Sequence, residues 1–261
     1  GAWSSPPRGR SAVSPAGPRS LTPVAVIGAM AEEVERLRAG LQDAVTVLDA
    51  PFTVQSGTLA GVSVLLAECG VGKVNAAALT QYLVSRGARS CVFSGVAGAT
   101  AEDLSVGDVV IGDTAVQHDV DVTALGYAPG TVPGSPPEWQ ADDELVAIAS
   151  GVARTTAARG EANGSPTFRV LVGTVATGDQ FISSPDKAAA LRDVYDAACA
   201  EMEGAACAQV CAAWGVPFVI VRSISDNANH TATVDFRAFT RLAAERADRI
   251  VTGILEALAD Q

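Results

Sequence analysis

Carboxylates placed where strands end are the residues in this chain that could do chemistry. Glu32 and Glu33 stand in the first turn of a helix that begins just after a strand ending at Gly28. They suit an acid–base role, and they equally suit a helix macrodipole, which favours acids in its first turn. Glu201 and Glu203 flank Met202 in ACAEMEGAA. Carboxylates at i and i+2 of an extended segment share one face and could accept both hydroxyls of a sugar. The competing reading is a capped helix start. Asp226 closes the otherwise apolar stretch PFVIVRSISD. It is either a turn former or an acid whose pKa burial raises.

Three glycine-rich junctions accompany these acids. Gly28-Ala-Met-Ala-Glu-Glu33 turns a strand into a helix. ECGVGKVNAA (68–77) resembles a phosphate-binding loop at first sight. That motif requires Gly at 67 and Ser or Thr at 74, and the chain has Ala67 and Val74, so a Walker A loop is excluded. Gly70 and Gly72 then serve a tight turn. FSGVAGA (93–99) places Gly95 and Gly98 where a ligand could approach the backbone, or where a turn is merely tight.

These residues must be held by an α/β framework. Short β-branched runs occur at 24–28, 62–68, 91–95, 108–112, 168–177 and 217–224. Helical stretches fall between them at about 31–40, 73–87, 142–158, 186–193 and 203–214, with a last at 235–258 whose apolar residues recur near helical spacing. Apolar strands alternating with amphipathic helices imply a mostly parallel or mixed sheet covered on both faces. Ligands of such sheets lie at the carboxyl ends of the strands, where the glycine junctions and acids are found.

The remaining features bound the partners. Of 261 residues, 48% are hydrophobic and 18% charged, and the net charge is −11. A sizeable core is available, no apolar run is long enough to span a bilayer, and no basic face is offered to nucleic acid. Five cysteines with two histidines form neither a disulfide framework nor a metal-ligand spacing, which points to a reducing compartment and to no metal. Residues 1–23 hold five Pro, five Ser, three Arg and no acid. They read as a disordered tail, native or added, or as the remainder of an organelle address. A single domain is expected over 24–261. Gly126–Trp139, with four Pro and three Gly, is a long loop of the kind that serves as a lid or interface arm.

Taken in order, IGAMAEEVERL (27–37), GVGKVNAA (70–77), SGVAGA (94–99), VGDVVI with HDVDVTALGY (106–127), TGDQFI (177–182), EMEGAA (201–206) and VRSISDNAN (221–229) closely resemble one family. It is the 5′-methylthioadenosine/S-adenosylhomocysteine nucleosidases of the purine nucleoside phosphorylase superfamily. The resemblance implies a three-layer α/β/α fold around a central mixed, mostly parallel sheet, a cytoplasmic homodimer, and no cofactor. It implies hydrolysis of the N-glycosidic bond of a small nucleoside substrate, releasing adenine. By motif position, Glu33 is the general base for water and Asp226, with Ser225 beside it, the acid at adenine N7. Phe181 stacks on the base and the Ile182 backbone reads its edge. Glu203 and Met202 hold the ribose, Ala97 and Gly98 line the floor, and Met30 and Phe236 form the apolar 5′-thio pocket. Tyr127 reaches toward the partner subunit's site. Val96 departs from the family, which often has Ser or Thr there, and this removes one potential polar contact.

Three rival readings accompany this one. The first is a nucleosidase for 6-amino-6-deoxyfutalosine, and the second a phosphorylase of the same superfamily. The second is disfavoured because no arginine lies between Ser90 and Glu102 to hold phosphate. The third is a non-catalytic nucleoside-binding protein, against which the presence of both Glu33 and Asp226 speaks.

Overall fold

The computed structural model describes residues 22–162, 167–228 and 232–260, and of 232–238 and 240–243 the backbone alone. Nearly all of the expected tail, and the side chain of Phe236, therefore lie outside the described residues.

In chain order the elements are β1 (Val24–Gly28), α1 (Ala31–Gly40), β2 (Gln42–Leu48), β3 (Thr53–Leu59), β4 (Val62–Glu68), α2 (Lys73–Ser85), β5 (Ser90–Ala99) and β6 (Val109–Gln117). They continue with β7 (Trp139–Gln140), α3 (Asp143–Ala162), β8 (Val170–Thr177), α4 (Pro185–Tyr195), β9 (Ala197–Glu201), α5 (Gly204–Trp214), β10 (Phe218–Asp226) and α6 (Ala232–Ala259). All strands join one mixed sheet, ordered β10-β6-β8-β9-β5-β1-β4-β3-β2, with β7 on β6. Parallel ladders run through the middle, linking β4, β1, β5 and β10, while β2, β3 and β4 form an antiparallel meander at one edge.

The sheet also closes on itself. β10 pairs with β5 as well as β6, so β5, β10, β6, β8 and β9 form a ring. Strand β5 makes this possible by changing partners. Its first half lies between β1 and β10, and its last residues, Gly98 and Ala99, leave β1 and pair with β9. Every residue of β10 is buried, because it is paired on both sides and covered on both faces.

Two cores sandwich the sheet. On one face, α1, α3 and α6 pack over Val24, Val26, Val92, Ile111 and Val221. On the other, α2 and α5 cover Ile27, Phe93, Ile220 and Ile224. A smaller cluster under α4 holds Ala176, Ile182, Leu191 and Ala200. This is the expected three-layer arrangement. The helices fall close to their expected spans, but β2, β3, β7 and β9 are additions to the expected strands. β2 is exposed along most of its length and has no apolar run, and β9 consists largely of alanine, so neither carries the usual strand signature.

Candidate active site

The carboxyl ends of β1, β5, β9 and β10 converge on four buried acids, and glycines of β5 make the room. Strand β1 ends at Gly28, and α1 starts with Met30 as its N-cap. Glu33 turns back over this start, where Oε2 accepts the N–H groups of Ala29 (2.6 Å) and Met30 (2.9 Å). These donors stand at and just ahead of the helix start, where the macrodipole also favours an acid. The other oxygen does something the macrodipole does not require. Oε1 accepts the N–H of Val96 on β5 at 3.0 Å, which ties the helix start to the sheet. Glu33 is buried whereas Glu32 is exposed, which decides between the two. Burial pushes the Glu33 carboxyl above its usual range, against the pull of Arg222 and of the three N–H groups.

Arg222 was absent from the expected site. It lies mid-strand on β10, is 1% exposed, and lies over the Phe93 ring at 4.5 Å. Its guanidinium is paired with Glu201 at the end of β9, with Nε 3.2 Å from the carboxylate. Glu201 also accepts the Thr177 hydroxyl and the N–H groups of Glu203 and Gly204. An arginine inside PFVIVRSI was the signal that could have found this, since a charge in a buried strand needs a buried partner. The expectation that Glu201 and Glu203 share one face is corrected. β9 ends at Glu201, and Glu203 caps α5 with non-extended backbone (φ −137°, ψ −40°).

Glu203 accepts the N–H of Gly72 at 2.8 Å. Gly72 has φ +104°, a conformation that favours glycine, and this is what the second glycine junction supplies. Burial and the neighbouring Glu201 push the Glu203 carboxyl up to about 8. A folded-state value above the usual 4.5 stabilises the fold at low pH, and that contribution is lost as pH rises through about 8. Every tenfold difference in proton affinity between the folded and unfolded chain is worth about 1.4 kcal/mol. Glu203→Gln should therefore gain stability relative to the wild type as pH rises from mildly acidic to mildly basic. Melting temperatures of both proteins across that interval check it, and parallel curves would show that Glu203 does not titrate there.

Asp226 ends β10, where Oδ2 accepts the Ser225 hydroxyl (3.0 Å) and Oδ1 the N–H of Ala228 (2.9 Å). It sits beside Gly98 of β5, where an added Cβ would lie 2.7 Å from Asp226 Oδ1. At Gly95 an added Cβ would lie 2.9 Å from Glu33 Oε1 and 2.7 Å from Arg222 Nη1. The two glycines thus clear space for the acids themselves. The reading that they let a ligand approach the backbone is not needed to explain them. Gly95→Ala should displace Glu33 or Arg222. Misplacing a reacting group by about 1 Å can cost on the order of 10²-fold, so activity should fall by about that much. Turnover measured beside a melting curve checks this, and unchanged turnover would show that the Glu33 position is not critical.

Other expected residues lie around this frame. Ala97 and Ser225 are buried neighbours, and Met30 and Met202 are half-buried. Phe181 and Ile182 lie in the loop after β8, with Phe181 about half exposed and Ile182 buried. That loop is anchored by Gly178 N–H on the Glu201 carbonyl and by Asp179, which accepts the Lys73 N–H and donates its own to Asp119. Lys73 pairs with Asp119 at 2.6 Å. Tyr127 is exposed on the long loop. Val96 contributes its N–H to Glu33, so the absent hydroxyl leaves that contact intact.

A family model described as the phosphorylase superfamily matches residues 23–256. A 5′-methylthioadenosine/S-adenosylhomocysteine nucleosidase of Bacillus cereus is 44% identical over 237 residues, covering 90% of this chain and 99% of its own. The nucleosidase of Neisseria meningitidis in complex with methylthio-immucillin-A superposes with a TM-score of 0.84 at 38% identity, covering 91% of this chain and all of that one. A futalosine hydrolase of Helicobacter pylori also superposes, with TM-score 0.83, 30% identity, and coverage of 91% and 98%.

Proposed function

This chain belongs to the phosphorylase superfamily and, within it, to the 5′-methylthioadenosine/S-adenosylhomocysteine nucleosidases, and from that membership we propose how it cleaves its substrate. It is an N-glycosyl hydrolase that releases adenine from one or both of these thioethers, leaving a 5-thio-substituted ribose. The observation that carries the mechanism is the pair of buried carboxylates, Glu33 and Asp226, each fitted against a glycine of β5. Gly95 and Gly98 lie three residues apart on β5, roughly 10 Å at about 3.3 Å per residue, so the two acids meet that strand at separate points.

In this mechanism the C1′–N9 bond breaks as water oxygen bonds to C1′. Glu33 takes the proton from that water, and its burial favours the protonated product. Asp226 gives its proton to N7, so adenine departs neutral while positive charge develops on the sugar. Glu203 accepts the ribose hydroxyls with Met202 beside it, Phe181 stacks on the base, and the Ile182 backbone reads its edge. Ala97 and Gly98 form the floor, with Ser225 holding Asp226. Met30 lines the apolar pocket for the 5′-thio group.

The buried arginine beside Glu33 is engaged by Glu201 and so does not offer a phosphate cradle. Adenine release should run at full rate in phosphate-free buffer. Strict phosphate dependence, with ribose 1-phosphate as product, would overturn hydrolysis.

A homodimer is part of the same reading. Val71 just before α2, Val74 in its first turn, Trp214 at the end of α5, Leu125 just before the long loop and Tyr127 on it are exposed large apolar groups. Burying them against a second copy would bring Tyr127 to the partner subunit's site. The proposal also takes the chain from Val24 onward as one catalytic domain with residues 1–23 outside it. It places the reaction in the cytoplasm as a salvage step of methionine metabolism, and five buried cysteines without a disulfide suit such a reducing compartment. No helix among the described residues is long and apolar enough to cross a membrane. The similarity to a futalosine hydrolase favours a second substrate, 6-amino-6-deoxyfutalosine. Adenine release from the three nucleosides, measured side by side, decides among them. Release from none would leave only a nucleoside-binding protein.

A further inference from the structure

Where β5 meets α5, three cysteines come together that the sequence keeps apart. Cys207 and Cys211 are one turn apart on α5, and no histidine shares their spacing, so a metal was not expected there. The fold adds Cys91 of β5, 116 residues earlier in the chain than Cys207. The Cys91 and Cys207 sulfurs are 3.5 Å apart, those of Cys207 and Cys211 are 4.0 Å apart, and all three lie within 4.8 Å of one another. All three residues are fully buried.

We propose that Cys91, Cys207 and Cys211 form a three-sulfur site for one soft monovalent cation, with copper(I) as the fitting ion. A three-coordinate ion with metal–sulfur bonds of about 2.3 Å holds its sulfurs about 4 Å apart, close to the separations found. The donor set is all sulfur, which selects soft ions over oxygen-seeking calcium or magnesium. Structural zinc takes four ligands, and no fourth His, Cys, Asp or Glu among the described residues joins the group. Within each close pair either sulfur can donate its hydrogen to the other, so the three already face one another. Each thiol that ligates releases its proton, so binding tightens as pH rises. Cys91 lies four residues before Gly95, and Cys207 four residues after Glu203. The ion would therefore pin β5 to α5 behind the catalytic groups without touching them.

The full chain, reduced and held without oxygen, is titrated with copper(I) delivered as its acetonitrile complex. The expected result is near-ultraviolet sulfur-to-copper absorption that saturates at one ion per chain, with three sulfur neighbours in X-ray absorption. Cys207→Ser should abolish this, and Cys199→Ala should leave the stoichiometry at one. The three-sulfur shell of the wild-type chain is a readout that needs no variant. No saturable absorption, a shell without sulfur, or uptake of zinc with refusal of copper(I) would each overturn the proposal.

Discussion

Glu33→Gln should lower kcat on methylthioadenosine by about 10²–10⁴-fold, the usual cost of losing a general base. The substitution is not silent for the fold. Both carboxylate oxygens of Glu33 accept backbone N–H groups, two on Oε2 and one on Oε1. A glutamine amide must turn its NH₂ toward one of these donors and leave it unpaired. An unsatisfied buried donor costs about 1–3 kcal/mol, so the variant should melt earlier than the wild type yet still fold. The loss in turnover has to be read at a temperature where both proteins are folded. A variant that melts earlier but keeps near-normal kcat would reduce Glu33 to a helix cap.

Asp226→Asn should be comparably severe in turnover, about 10²–10⁴-fold, but gentler on stability. The N–H of Ala228 can donate to the asparagine oxygen in the Oδ1 position. The Ser225 hydroxyl, now a donor to Oδ2, can rotate to accept from the new NH₂ and give its hydrogen to the Ala97 carbonyl, 3.4 Å away. An amide in that position can still hydrogen-bond to N7 but has no acidic proton to deliver. Substrate should therefore bind while turnover collapses, which single-turnover kinetics with a binding measurement would separate. Loss of binding and turnover in parallel would make Asp226 a binding group only.

Much of this arrangement is legible in the residues, and the exceptions share a cause. β1, β5 and β10 are buried on both faces, so they stand out as short apolar runs, and the acids that end or follow them are visible by type and place. The roles of Gly95 and Gly98 were not visible. What a missing Cβ makes room for depends on Glu33, Arg222 and Asp226, which arrive from distant parts of the chain. The Arg222–Glu201 pair has the same character, because its partners lie on β10 and β9 and meet only when the ring of strands closes. Gly72 could be seen as a turn residue, but its N–H meets Glu203 across 131 positions. Local pattern reveals the buried apolar elements and their ends, while exposed β2 and alanine-rich β9 escape it. Contacts made by ring closure and by long-range pairing of polar groups leave no local trace.

The assignment of base and acid is tested most directly by changing the leaving group. Glu33→Gln and Asp226→Asn are compared on methylthioadenosine and on a 5′-methylthio nucleoside whose base departs readily without protonation at N7. If Asp226 supplies the N7 proton and Glu33 activates water, the easy leaving group should restore much of the lost kcat to Asp226→Asn and little to Glu33→Gln. Equal rescue of both variants, or rescue of Glu33→Gln alone, would contradict the account.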